Sequence, residues 1–218
     1  MASVTLLNPN CPADLSAEPA RTTRPAALIR VMHVVNGEHY AGAERVQDLL
    51  ALGLPAAGFE VGFACVKPDR FARLRKSQQT PLYEFRMSGR CDLSPARKLA
   101  RLIHDYDYQL VHTHTPRAAF IGRVAAALAG VPVVHHLHSP TTVDSTRRVR
   151  NWLNAAAERF SLTGVSAVIA VSESLRDYAR RIGIDPKRTF VVHNGVPTRG
   201  PLLPRSTPAD SWTLGCVA

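Results

Sequence analysis

Four histidines stand at alternate positions on two short apolar runs, and no other residues of the chain are better placed to do chemistry. The first run is Leu110-Val111-His112-Thr113-His114-Thr115-Pro116. The second, at 131–140, reads Val-Pro-Val-Val-His-His-Leu-His-Ser-Pro. In a strand, alternate residues share a face, so His112 pairs with His114 and His136 with His138, while His135 points the other way. Such a cluster has three readings. Imidazoles bind zinc and its neighbours in the first transition row, and two His-x-His pairs suggest a metal-dependent hydrolase. Against this, neither strand end carries an Asp or Glu, and the nearest acids are Asp144 and Glu173 in later loops. The second reading is a set of neutral imidazoles that hydrogen-bond a sugar hydroxyl or a phosphate, and it is favoured. The third is that the rings only satisfy buried loop backbone.

These histidines need elements to hold them. A β-branched apolar run bounded by turn residues is the pattern of a buried parallel strand. The carboxyl ends of such strands are where an open α/β sheet places ligands. The rest of the chain repeats the alternation. Strands are expected at 29–35, 59–66, 82–87, 110–114, 133–137, 167–171 and 190–193. Helices are expected at about 43–56, 68–76, 93–106, 117–128, 146–162 and 172–181. In the first helix, Val46, Leu49, Leu50 and Leu54 form the apolar face. Ser94 and Ser172 read as N-caps, and Gly130 and Gly183 as helix stops. The fold class is therefore α/β, a Rossmann-like doubly wound parallel sheet. Residues 1–27 read as a disordered leader, 28–196 as the Rossmann-like domain, and 197–210, rich in proline, as a linker. Residues 211–218 (Ser-Trp-Thr-Leu-Gly-Cys-Val-Ala) look like the first strand of a second domain that is absent.

Three loops at the strand ends are further candidates. The segment 36–44 joins the first strand to a helix and carries Gly37 and Gly42. A glycine loop feeding a helix N-terminus suits a phosphate or sugar, and it also suits a plain tight turn. It matches neither Gly-x-Gly-x-x-Gly nor the P-loop. Ser172 and Glu173 begin a helix, which makes capping their simplest role. Asn194 and Gly195 form a turn at the last strand's carboxyl end. There is no Gly-x-Ser-x-Gly and no cysteine nucleophile setting.

Composition narrows the classes. The chain has 218 residues, 45% of them hydrophobic, with a formal charge of +10. The arginines are scattered and lack interleaved aromatics, so nucleic acid is not expected as a partner. Cys11, Cys65, Cys91 and Cys216 have no metal or redox spacing and read as reduced thiols of a cytoplasmic protein. No stretch approaches the ~20 apolar residues that span a bilayer. Arg70, Arg73, Arg75 and Lys76 lie close together and suggest peripheral contact with the inner face of a membrane.

The order of motifs resembles the amino-terminal half of a GT-B glycosyltransferase of the retaining family 4, from Ile29 to Gly195. Tyr40-Ala41-Gly42-Ala43-Glu44 is similar to that family's Gly-Gly-Ala-Glu loop. The runs 110–114 and 134–139 resemble its His-x-His strand and the strand that ends in its active-site histidine. The runs 167–174 and 191–196 resemble its Ile-Ala-Val-Ser-Glu strand and its Asn-Gly-Val hinge. The resemblance implies that His138 is catalytic and hydrogen-bonds the transferring sugar. Gly42 lets the loop approach the donor diphosphate, and His112 and His114 line the cleft. Glu44, Ser172, Glu173, Asn194 and Gly195 stand on the substrate side, Glu44 alternatively capping the loop helix. No cofactor and no bound metal are implied. The partners implied are a nucleotide-sugar donor, held mostly by the absent domain, and a glycan or lipid-linked acceptor. Ala41 replaces the first loop glycine, which is tolerable if that residue needs no positive φ. Without its donor-binding domain such a chain is expected to be inactive alone. A non-catalytic α/β module, or a partner subunit for phosphorylated ligands, is the alternative.

Overall fold

A computed structural model describes residues 28–89, 92–140, 159, 161–195, 197 and 200. The leader expected at 1–27 and the strand expected at 211–218 lie outside these residues. So do nearly all of the helix expected at 146–162 and of the linker at 197–210.

Seven strands form one parallel sheet: β1 (Ile29–Val35), β2 (Phe59–Cys65), β3 (Leu82–Glu84), β4 (Leu110–Thr113), β5 (Val133–Leu137), β6 (Ala167–Ala170) and β7 (Thr189–Val191). Their order across the sheet is β3-β2-β1-β4-β5-β6-β7. The chain winds outward from β1 in one direction, then returns to its other side. The expected doubly wound α/β class is thus the observed one. The described helices are α1 (Gly42–Gly53), α2 (Arg70–Leu74), α3 (Ser94–Asp105), α4 (Pro116–Ala129) and α5 (Glu173–Arg181).

The central strands are apolar on both faces, as a covered parallel sheet requires. Met32, Val34, Val111 and Val168 are fully buried, together with Leu99, Ile103 and Ile121 from α3 and α4. Helix α4 lies close on the sheet because Gly122 has no side chain. A Cβ there would stand 2.5 Å from Thr113 Cγ2. Helix α4 starts on Thr115, whose hydroxyl accepts the Ala118 N–H, and ends at Gly130 in the left-handed region at φ 72°.

Several local expectations need correction. The apolar face of α1 is not its buried face. Glu44, Gln47, Asp48 and Ala51 are buried, whereas Val46, Leu49, Leu50 and Leu54 are only partly covered. Asp48 is the reason. Its carboxylate accepts from Tyr40 Oη at 2.6 Å, from Lys76 N at 2.7 Å, and from Ser77 N and Oγ at 2.9 and 2.6 Å. That set of bonds turns the polar side of α1 inward. The expected N-cap Ser94 is instead the first helical residue of α3. The Asp92 carboxylate accepts its N–H along with the N–H and hydroxyl of Ser88. Helix α2 is shorter than expected, and Arg75 just beyond it is 9% exposed. Its guanidinium donates to the carbonyls of Ser77 and Thr80 at 2.6 and 2.7 Å, while Arg73 pairs with Asp69 at 2.6 Å. The supposed basic cluster therefore loses Arg75 to the interior and has Arg73 paired. Cys65 is a free, buried thiol, and burial pushes its pKa up to about 12.

Candidate active site at the carboxyl edge of the sheet

All strands run the same way, so one edge of the sheet receives every carboxyl end. Its centre is the gap between β1 and β4, where the winding direction reverses. That switch point is the usual ligand crevice of an open α/β sheet. Strand register decides which side chains meet there. His33 on β1 pairs with His112 on β4, and His112 with Val134 on β5. One step further along, His114, His136 and His138 gather at the strand ends.

Five imidazoles result, nearly in contact. Ring centroids are 4.7 Å apart for His33 and His112, 4.2 Å for His112 and His114, 5.1 Å for His114 and His136, and 4.4 Å for His136 and His138. The face sharing inferred for the two His-x-His pairs is thus observed. His135 faces the other side, where its Nδ1 lies 2.8 Å from Thr113 Oγ1. His33 was not identified from the sequence as a site residue. Its only local signal is a polar residue between Met32 and Val34 on a strand that should be apolar on both faces.

The cluster is uncharged at neutral pH. Burial, then the charge of His136, lowers His33 to about 3, and burial likewise lowers His136 to about 3 and His138 to about 4. Burial, then the charge of His33, holds His112 well below the ordinary value, and burial, then the charge of His112, does the same to His114. Desolvation opposes a charge on any ring, and each proton taken up makes the next harder to place.

A hydrogen-bonded line runs through the cluster. His33 Nδ1 lies 3.3 Å from His114 Nε2, and His114 Nδ1 lies 3.1 Å from His138 Nε2. A neutral ring carries one N–H, so the line has one of two directions. His33 Nε2 is buried without a partner. If the line ran inward, that atom would be an orphaned N–H, the more costly case. The favoured direction is outward: His33 donates to His114, and His114 to His138. His138 then keeps its own N–H on Nδ1, on a ring that is only half-buried.

The other candidates lie around this edge. In the β1–α1 loop, Gly37 takes φ +86°, and a Cβ there would lie 2.1 Å from Cys65 Sγ. Ala41 is extended at φ −111°, so its replacement of a glycine carries no strain. Gly42 has nothing within 4 Å of where a Cβ would be, which leaves its backbone open to approach. Glu44 is buried and accepts the Ala41 N–H at 3.3 Å, which is a capping role. Ser172 caps α5 by accepting the Leu175 N–H, and Glu173 pairs with Arg176 at 2.6 Å. Asn194 and Gly195 are exposed beyond β7, three strands from β4. Arg117, a further residue that sequence reasoning passed over, begins α4 and donates to Asn36 Oδ1 at 3.3 Å, tying the β4 and β1 loops together.

The seven-stranded sheet with an imidazole cluster at its switch point defines a Rossmann-like domain with a candidate site at its carboxyl edge, and the comparisons supply the family. Glycosyltransferase Family 4 matches residues 40–199, and the chain belongs to that family. The UDP-Gal:alpha-D-GlcNAc-diphosphoundecaprenol alpha-1,3-galactosyltransferase of Escherichia coli is 31% identical over 178 residues, covering 77% of this chain and 45% of that protein. The alpha-maltose-1-phosphate synthase of Mycolicibacterium smegmatis is 34% identical over 99 residues, 41% of this chain and 24% of that one. Among solved structures, Anabaena HepE with UDP and glucose superposes with a TM-score of 0.64 at 20% identity, over 77% of this chain and 45% of its own. Sucrose-phosphate synthase from Thermosynechococcus elongatus gives 0.58 at 19% identity, over 76% and 48%. The fold is that of the amino-terminal half of a GT-B glycosyltransferase. The chain spans about half the length of the curated relative it matches over most of its length.

Proposed function

We propose that this chain is the acceptor-side half of a retaining glycosyltransferase of polysaccharide or cell-envelope assembly. Such an enzyme moves a sugar from a nucleotide-sugar donor to a glycan or lipid-linked acceptor. The observation that carries this reading is His138. It closes β5 beside the switch point, its Nε2 is taken up by His114, and its Nδ1–H is left for a ligand hydroxyl. A neutral, prepositioned N–H donor of this kind orients the transferring sugar by holding one of its hydroxyls. His112 and His114 line the same edge, and the open backbone at Gly42 suits a diphosphate at the start of α1. Ser172, Glu173, Asn194 and Gly195 stand at the outer part of the edge, where a second domain would face them.

A UDP-sugar donor is supported by the name of the Escherichia coli relative and by the UDP and glucose bound to HepE. A lipid-linked diphosphate acceptor is supported by the same relative's name. Among the described residues no helix is long and apolar enough to cross a membrane, which fits a cytoplasmic enzyme that meets its lipid acceptor at the membrane face. Charge stabilisation of the leaving diphosphate needs a donor-binding domain, and these 218 residues span about half the length of the Escherichia coli relative, so by themselves they are expected to transfer no sugar. The test is transfer by this chain with a panel of nucleotide sugars and a diphosphate-linked GlcNAc acceptor, alongside acceptor binding by calorimetry. Binding without transfer is expected. Clear transfer overturns the inactive-fragment reading, and failure to bind any acceptor overturns the acceptor-side role.

A further inference from the structure

Two cations stand at the carboxyl edge on either side of β1. Lys67 follows β2, and Arg117 is the second residue of α4, which follows β4. A line of polar contacts joins them. Lys67 Nζ donates to Glu38 Oε2 at 3.0 Å, the Asn36 side chain hydrogen-bonds Glu38 in turn, and Arg117 donates to Asn36 Oδ1 at 3.3 Å. With Oδ1 taken by the guanidinium, the Asn36 amide serves the carboxylate through its NH2, so its orientation is fixed from both ends. Its backbone is fixed as well, because the Asn36 carbonyl accepts the Lys67 N–H at 2.8 Å. The two cations differ in what they meet. Lys67 is matched by Glu38, whose carboxyl the Lys67 hydrogen bond holds below the usual carboxylate range. Arg117 meets a neutral amide, and among the described residues no carboxylate forms an ion pair with it.

We infer that Arg117 recognises the diphosphate of a sugar-diphosphate substrate at the β1–β4 switch point, with Asn36 as its positioning residue. A guanidinium is always charged, and its planar fork binds two phosphate oxygens at once. Asn36 takes a bond from one end of that fork and leaves the rest for a ligand. Arg117 is half-buried, so water screens its charge only in part. The neighbouring imidazoles add no competing charge, because burial keeps His114 and His138 neutral at pH 7. The placement follows from the chain: Asn36 directly follows β1, His114 directly follows β4, and Arg117 stands three residues further on. A neutral N–H donor at His138 and a fixed cation at Arg117 together suit a ligand that is sugar at one end and diphosphate at the other. The inference rests on the transferase reading for the sugar, and on charge alone for the diphosphate. A nucleotide-sugar donor and a lipid-linked acceptor both carry that group, and the experiment separates them.

Calorimetry on the full 218-residue chain compares GlcNAc linked through a diphosphate to a short alkyl chain, the uncharged alkyl glycoside of GlcNAc, UDP and inorganic pyrophosphate. Arg117→Ala should weaken the diphosphate-linked GlcNAc ~10–100-fold, the scale of a lost charge-assisted bond, and leave the uncharged glycoside unchanged. Arg117→Lys keeps the charge without the fork and should fall between. Asn36→Ala should act in the same direction as Arg117→Ala, with a smaller loss. Arg101→Ala, exposed on α3, should change nothing. A loss on UDP instead of the diphosphate-linked GlcNAc supports the site and assigns it to the donor. Pyrophosphate binding that Arg117→Ala abolishes, with neither GlcNAc probe bound, supports the site and overturns the acceptor-side reading alone. Undiminished diphosphate affinity in Arg117→Ala, an equal loss on the uncharged glycoside, or no diphosphate bound by the unaltered chain overturns the inference. Should Arg117→Ala not fold, Arg117→Lys decides, and parental affinity in that variant overturns it.

Discussion

His114 Nδ1 lies 3.1 Å from His138 Nε2, and this contact decides what His138 can offer a ligand. With Nε2 occupied as an acceptor, the ring's proton sits on Nδ1. The same logic places the proton of His114 on Nδ1 and that of His33 on Nδ1, because His114 Nε2 accepts from it. Ring nitrogen shifts in a 15N-labelled, metal-free sample should therefore report three neutral Nδ1–H tautomers at pH 7. An Nε2–H tautomer at His138 would reverse the line and remove the proposed donor. Replacing His114 with Ala should release the His138 ring into the mixture of tautomers seen for free imidazole.

The histidine cluster should make stability depend on pH in one direction. A histidine whose pKa falls on folding is charged in the unfolded chain before it is charged in the folded one. Between the ordinary value of 6.5 and the folded values, about 3 for His33, His135 and His136, the unfolded state binds more protons. Stability is thus complete above pH 6.5 and falls as pH drops through that value towards about 3. Each buried ring contributes at most about 1.4 kcal/mol per pH unit. Denaturant melts from pH 7.5 to 5 should show the midpoint moving down steadily below pH 6.5. A flat profile over that range would mean the rings are solvated.

Asp48 holds α1 by its polar side, and removing it should be costly. The variant Asp48→Ala leaves the N–H groups of Lys76 and Ser77 without their acceptor. At 2% exposure water cannot easily replace the carboxylate. The expected loss is about 3 kcal/mol in a denaturant melt. Asp48→Asn should fall between this variant and the parent, since its amide oxygen keeps part of the set.

Gly37 is the loop residue least open to change. Gly37→Ala would need a left-handed backbone at φ +86° and a methyl group 2.1 Å from Cys65 Sγ. A penalty of about 2–4 kcal/mol follows from overpacking plus the strained backbone. Gly42→Ala should cost under about 1 kcal/mol, since a methyl group there meets nothing within 4 Å. Thermal melts of the two variants side by side give the comparison, and equal stability would refute the loop geometry described above.

The sheet and the histidine faces were legible because both rest on a period of two, which the sequence writes locally. Strands β1 and β5 have the expected bounds, and the stops at Gly130 and Gly183 hold, both at positive φ. What was not legible depends on distant partners. The buried side of α1 is chosen by hydrogen bonds from residues 76–77, some way down the chain from Asp48, and no amphipathic pattern within α1 announces them. His33 joins the site only through its register with His112, a pairing across 79 residues. Arg75 looks like a surface charge until the carbonyls of Ser77 and Thr80 close around it.

The strand order has a consequence for biosynthesis. Of the described strands β1 is the first made, yet it lies inside the sheet, bordered by β2 on one side and β4 on the other. Leaving the ribosome at ~5–20 residues per second, the chain takes on the order of ten seconds to deliver the β4 edge that β1 must join. Until then one flank of β1 has open backbone and apolar side chains, a template for wrong pairing. The nascent chain should be most exposed to aggregation, and most in need of chaperone contact, in that interval before residue 113 emerges.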